Sequence, residues 1–319
     1  MMLYAVLSDI HGNFVALEAV ERDARRQAKC LGHDLHFISL GDVVDYGPQP
    51  NECMNWLCER DAIAIQGNHD RVVVNPSQDL HTINQKYWPI TLWTSRVLDD
   101  VHKDTIRAWK PRLRKQPGLE SFVLFHSSLV LGDARINDLR IAKQNLDKLN
   151  DKNPYGLFGH THHQGFFARA PHEDKLIRGL VCPNDNVPQK VNGWQPIKVG
   201  EDLSLPGQWQ PTIFNPGSVG QPRRHALLLG AGVPHDGRAA YALLHLNGNG
   251  EGRVQFRRVK YDVAKTIRLL RERVSWSAED GNTKGHSIYK DVQASGSADH
   301  PSEKLSKTMT ILIRTLQHG

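Results

Sequence analysis

The chain has 319 residues, of which 39% are hydrophobic and 23% charged, and a formal charge of +6. That length and balance suit one large globular domain, or one domain with an appendage, with a substantial core. They exclude a membrane-spanning helix, because no apolar run approaches about 20 residues, and the four cysteines include no paired CxxC, which argues against a thiolate zinc site and suits a reduced, cytoplasmic protein.

The N-terminal "MMLYAVLSDIHG" has no basic region and no small-residue cleavage site before its apolar run meets Asp9. It is therefore read as a buried first strand and not as a signal peptide. Asn13 then caps a helix in which Val15, Ala16, Ala19, Val20 and Ala24 share one face. The grammar of apolar run, abrupt polar loop and helix-like segment repeats. "LHFISLGD", "AIAIQGNHD", "SFVLFHSS", "YGLFGHTHH" and "TIFNPGSVG" are further short runs bounded by Gly, Asn, Asp or Ser. Near-continuous apolar character predicts strands buried on both faces, and the alternation with helices predicts a layered α/β sheet.

Residues 76–120 read as helical, with Trp88, Trp93 and Trp109 as packing anchors. Residues 163–212, rich in Pro, Gly and polar residues, are expected to carry a hairpin or lid. "YALLHLNGNGEGRVQFRRVKYD" reads as a hairpin, and Asp262 caps a helix to about Val274. From Arg253 onward there are 13 Lys/Arg against 7 Asp/Glu, so this end carries the whole charge excess. The expected organisation is a domain over 1–274 followed by a basic, poorly ordered tail over 275–319. The tail reads as a solvated segment in preference to a nucleic-acid-binding one, since no RNA-binding signature or aromatic platform accompanies it.

Five of the six runs end in metal-binding types of side chain: "SDIHG", "LGDVVDYG", "GNHD", "LFHSS" and "GHTHH". In an α/β sheet the carboxyl ends of strands are where sites assemble. In an extended segment residues i and i+2 point to one side, so Asp9 converges with His11, and His160 with His162, while His163 points away. The collected set is Asp9, His11, Asp42, Asn68, His126, His160 and His162. Oxygen and nitrogen donors without thiolate suit Mn²⁺ first, with Fe, Zn²⁺ or Ni²⁺ as alternatives. Seven ligands are too many for one tetrahedral ion and suit two ions sharing a carboxylate. Two such cations would lower the pKa of a bridging water and attract an anionic phosphate.

The ordered set "DIH" (9–11), "GDVVD" (41–45), "GNHD" (67–70), "FHSS" (125–128) and "GHTH" (159–162) resembles the calcineurin-like metallophosphoesterase superfamily. The stretch "NPGSVGQPR" followed by "AAYALL" looks like its bacterial and archaeal phosphodiesterase branch. The resemblance spans about residues 2–274 and implies a four-layer α/β/β/α sandwich. It implies that Asp9, His11, Asp42 and His162 hold one ion, and that Asp42, Asn68, His126 and His160 hold the second, with Asp42 bridging. His69 would stand over the site as general acid or transition-state stabiliser, oriented by Asp45, and a metal-bridging hydroxide would attack in line with the leaving group.

The chain departs from the family's protein phosphatases and diadenosine tetraphosphatases at Tyr46, where those have arginine. A phosphate-clamping guanidinium is missing there, and Arg223 or Arg224 is the nearest substitute. The implied activity is hydrolysis of a phosphodiester in a small-molecule or nucleotide substrate bound by Asn68, His69 and Arg223. The alternatives are a monoesterase or nucleotidase, a nuclease, and a non-catalytic scaffold. Nothing in the sequence gives the oligomeric state.

Overall fold

The computed structural model describes residues 2–170, 175–182, 194–205, 210–223, 236–247, 251–274 and 301–318. Thirteen strands are described among them. In chain order they are β1 (Met2–Leu7), β2 (Asp34–Ser39), β3 (Ile63–Ala64), β4 (Arg112–Arg114), β5 (Phe122–Phe125), β6 (Tyr155–Leu157) and β7 (Gly165–Arg169). They continue with β8 (Leu176–Cys182), β9 (Gln195–Lys198), β10 (Asp202–Leu205), β11 (Thr212–Asn215), β12 (Ala239–Leu246) and β13 (Gly252–Val259). One sheet runs β10-β13-β12-β1-β2-β3 and the other β4-β5-β6-β11-β7-β8-β9.

Alternation along each strand builds the layers. In β1, Tyr4 and Val6 face an inter-sheet core that also holds Leu124, Leu157, Phe214 and Phe256. Leu3, Ala5 and Leu7 of the same strand face Leu17, Val20 and Trp56 on the helical side. The second sheet repeats the device, with Val123, Phe125 and Ile213 against Ile141 and Leu146. Both faces of both sheets are thus covered, which is the four-layer α/β/β/α arrangement expected from the uninterrupted apolar runs. Among the described residues no helix is long and apolar enough to cross a membrane.

Local signals place the helices. Asn13 caps the helix α1 (Phe14–Leu31) by accepting from Ala16 N, and Gly32 ends it at φ 65°. Asp262 caps Val263–Arg273 by accepting from Lys265 N. Of the three tryptophans, Trp93 is buried, while Trp88 and Trp109 are half-buried against core clusters. The region 76–120 is helical as far as Ala108 and ends in β4.

Two expectations need qualification. The described parts of 163–212 form the β7/β8 hairpin, β9 and β10, so they are woven into the two sheets. At the C-terminal end, Pro301–His318 is a helix, although the tail was expected to be poorly ordered. Composition hid its periodicity. Leu312 and Leu316 repeat on one face and are buried with Ile90, Trp93, Ile267 and Leu270. Residues 275–300 lie outside the described residues.

A candidate dinuclear metal centre

The site residues follow the carboxyl ends of parallel strands from both sheets: Asp9 after β1, Asp42 after β2, Asn68 after β3, His126 after β5 and His160 after β6. The structure brings the whole sequence-predicted ligand set together, but not by the route expected. Asp9, His11, Asp42, Asp45, Tyr46, His160 and His162 all have positive φ, between 48° and 75°. They make up seven of the nine such non-glycine residues described, so the backbone there is left-handed and not extended. Each costs about 1–2 kcal/mol. Strain concentrated in one place marks a site whose geometry the rest of the fold holds. Glycine is required beside it, since a Cβ at Gly67 would overlap Asp42 Oδ1.

The ligand atoms form two buried groups, Asp9/His11/His162 and Asp42/His126/His160, with all atoms in each group within 4.8 Å of one another. Asp42 Oδ2 joins the two. It is 3.1 Å from His126 Nε2 and 3.9 Å from His11 Nε2. In the first group His162 Nε2 lies 3.2 Å from Asp9 Oδ1 and 3.3 Å from His11 Nε2. In the second, Asn68 Oδ1 is 3.1 Å from His126 Nε2. His163 departs from the site and lines a small void on the far side with Phe167 and Trp194.

These residues fit metal ions on the chemistry of their donors. His126 Nδ1 donates to Leu40 O and His162 Nδ1 to Gln221 O, each at 2.7 Å. Those bonds turn the Nε2 atoms inward as ligands. Among the described residues buried His11 Nδ1 has no hydrogen-bond partner, and buried Asp9 Oδ1 has only the His162 imidazole within reach. Burial lowers the pKa of His11, His160 (to about 3) and His162, so they stand as neutral donors. His126 is the exception. Burial opposes its charge, yet Asp42 pushes it up to about 10, and its Nε2 faces acceptors from Asp42 and Asn68. That is the place a cation would take. Despite burial, neighbouring imidazoles hold the Asp9 and Asp42 carboxyls below their usual range.

His69 stands beside this centre on the wall of a cleft of about 620 Å³. Its Nδ1 donates to Asp45 Oδ2 at 2.7 Å, and Thr91 Oγ1 donates to the same oxygen at 2.8 Å. Its backbone N donates to Asp42 Oδ1 at 2.8 Å, which ties the imidazole to the shared carboxylate. Burial disfavours the imidazolium, but Asp42 and Asp45 outweigh it and raise the pKa.

Three residues were not assigned from the sequence. The Tyr46 hydroxyl is 3.1 Å from His69 Nε2, and its ring packs against His11, His69 and Tyr87 with centroids 4.6–4.9 Å apart. The only sequence signal was its departure from the arginine pattern. Arg135 lines the cleft with Arg223, and nothing in "GDARIND" announces it. Arg224 lies outside the described residues. Asp70, present in "GNHD", accepts from Val43 N (2.8 Å), Val44 N (3.1 Å) and Gly67 N (3.0 Å), which pins the loop carrying Asp42. Burial and the Asp42 charge push its carboxyl up to about 7.

Asp70→Ala would leave three buried N–H groups without an acceptor. At about 1–3 kcal/mol each, partly relieved by water, the expected loss is about 3–5 kcal/mol in urea denaturation. A loss below about 1 kcal/mol would mean that the loop is held by other bonds.

Comparisons with known proteins agree with this geometry. A sequence-family model described as calcineurin-like phosphoesterase matches residues 2–164. An uncharacterized protein of Methanocaldococcus jannaschii is 37% identical over 97 residues, which is 30% of this chain and 37% of that protein's length. The crystal structure of a metallophosphoesterase from Sphaerobacter thermophilus is 27% identical, covering 92% of this chain and 99% of its own, with a TM-score of 0.61. A hypothetical protein from Pyrococcus horikoshii shares the fold at 16% identity, with 98% of each chain covered and a TM-score of 0.58.

Proposed function

The chain belongs to the calcineurin-like phosphoesterase family, and from that premise we propose that it hydrolyses a phosphodiester at the Asp9–His162 centre. What carries the reading is the Asp42 carboxylate, shared between two donor groups and bonded through Oδ1 to the backbone of His69. Asp9, His11, Asp42 and His162 would hold one divalent cation, and Asp42, Asn68, His126 and His160 the other, with manganese the first candidate. When bound, the pair supplies Lewis acidity toward the phosphoryl oxygens and a lowered pKa for water.

The chain's own groups do the rest. Asp45 fixes His69 Nδ1, which leaves Nε2, on the cleft wall beside the Tyr46 hydroxyl, to give a proton to the leaving oxygen. Asn68 adds a neutral donor without cancelling positive charge. The diester preference rests on Tyr46. A neutral phenol stands where related phosphatases carry a guanidinium, and a diester brings one negative charge to the reacting phosphorus where a monoester brings two.

The test compares the Mn²⁺-loaded protein on bis-p-nitrophenyl phosphate and p-nitrophenyl phosphate. The expected result is a kcat/KM at least about tenfold higher for the diester. Faster turnover of the monoester would replace this reading with a phosphomonoesterase, and no turnover of either would remove the hydrolase.

A further inference from the structure

The cleft beside the metal centre carries more positive charge than one phosphodiester calls for. Arg135, Arg223 and Lys86 line it, together with a single aspartate, Asp133. That aspartate is held by Arg71, whose Nη2 is 2.6 Å from its Oδ2. Neither Arg135 nor Arg223 forms an ion pair with a described residue, and the Lys86 ammonium rests over the Tyr87 ring, 4.8 Å from its centroid. The two arginines come from separate segments, one from the loop after β5 and the other from the turn after β11, and line the same cleft. Desolvation on the cleft wall and, after it, the neighbouring Arg223 charge lower the Arg135 pKa. Like charges brought together without carboxylate partners raise the energy of the empty cleft, and an anion between them relieves it.

The reacting phosphoryl does not use up this charge. A diester phosphate carries one negative charge, and the group against His69 Nε2 is the neutral Tyr46 hydroxyl, with the neutral Asn68 also on the cleft wall. The wall bearing Lys86 is also built to stay in place. Thr308 of the C-terminal helix donates to Lys86 O at 2.8 Å, and Thr315 of the same helix reaches the cleft. This held wall shares the cleft with two guanidinium groups that form no ion pair among the described residues, which is the make-up of a second anion pocket.

We propose that Arg135 and Arg223 bind a second phosphoryl group of the substrate, so that the natural substrate carries two linked phosphates. This rests on the reading of the neighbouring centre as a phosphoesterase and narrows its substrate class. A guanidinium matches phosphate oxygens in pairs, which makes Arg135 and Arg223 the discriminating residues and Lys86 a supporting charge.

The experiment measures binding and not turnover. The full-length Mn²⁺-loaded protein is titrated calorimetrically with α,β-methylene-ADP and with AMP, the nucleoside being a carrier common to both. The expected result is binding of the diphosphate analogue at least about tenfold tighter. Arg135→Gln should bring the ratio to within about threefold of one, and Arg135→Lys should recover part of it. Arg135 is exposed at the cleft rim, so both variants should fold, and circular dichroism checks this. A ratio near one in the unmodified protein overturns the proposal. So does an unchanged ratio in Arg135→Gln, since the preference would then belong to the metal ions alone. Failure of the hydrolase reading would appear elsewhere, as absent turnover of bis-p-nitrophenyl phosphate with the binding ratio intact.

Discussion

Asp42→Ala is expected to abolish metal binding at both positions while the other ligands remain. The reason is geometric. Asp42 Oδ2 faces His126 Nε2 at 3.1 Å and His11 Nε2 at 3.9 Å, so one oxygen serves two donor groups. Without it the second group keeps no carboxylate and the first keeps only Asp9, so the carboxylate charge that offsets two divalent cations is halved. Loss of a hydrogen-bonding partner behind a metal ligand typically costs about 10–100-fold in affinity, and loss of a ligand common to two ions should cost more. Metal content by mass spectrometry should therefore fall well below one ion per chain, with turnover falling alongside.

Asp42→Asn provides the folding control. Its amide oxygen can still accept from His69 N, as Asp42 Oδ1 does at 2.8 Å, so the loop is preserved while the charge is lost. Equal metal loss in both variants would assign the effect to charge and not to misfolding. Two ions retained in either variant would contradict a shared carboxylate. A different result, one ion retained, would place Asp42 in one group only.

Much of this architecture is legible in the residues because strand ends carry a strong periodic signal. β1 shows it well: Leu3, Ala5 and Leu7 face helices while Tyr4 and Val6 face the other sheet, so both alternate sets must be apolar. The next polar residues then have to mark the sheet edge, where Asp9 and His11 stand. Their convergence was legible, but its cause was not. A pleat would have aligned residues i and i+2, whereas the backbone reaches the same end through left-handed turns at φ 51° and 48°. Local sequence gives no sign of such strain in Asp or His, because contacts from other strands impose it. Asp9 Oδ2, for example, accepts from Ser8 Oγ and from the distant His160 N.

Residues that act through long-range contacts were correspondingly hidden. Arg135 and Thr91 meet the site only because a loop and a helix fold onto it, and neither lies in a motif. The C-terminal helix was masked by its basic composition. Its apolar residues recur at helical spacing and cover a face left open by Trp93 and Leu270. Composition averages over faces, whereas periodicity resolves them, and for an 18-residue helix the second is the better guide.

His69→Ala should separate metal binding from turnover. His69 contributes no atom to either donor group, so the variant should retain its metals. Its Nδ1 is committed to Asp45, which leaves Nε2, on the cleft wall beside the Tyr46 hydroxyl, as the nitrogen that can give a proton. Loss of a general acid costs about 10²–10⁴-fold in kcat, which is the expected deficit on a substrate with a poor leaving group. The deficit should shrink for a p-nitrophenyl leaving group, which departs without a proton. An equal deficit on both would indicate electrostatic stabilisation in place of proton donation.

The pH profile tests the same assignment through Asp45. Burial works against the imidazolium, and the carboxylates of Asp42 and Asp45 more than compensate, raising the His69 pKa. A raised pKa keeps the proton on His69 to higher pH, so acid-dependent turnover should persist through neutrality and fall on the alkaline side. Bound cations would cancel the Asp42 contribution and leave Asp45, at 2.7 Å, as the main support. Asp45→Asn should then move the alkaline limb of kcat to lower pH and reduce turnover at neutral pH, with metal content unchanged. An alkaline limb that stays put in Asp45→Asn would show that another group carries the proton, and the Tyr46 hydroxyl, 3.1 Å from His69 Nε2, is the next one in reach.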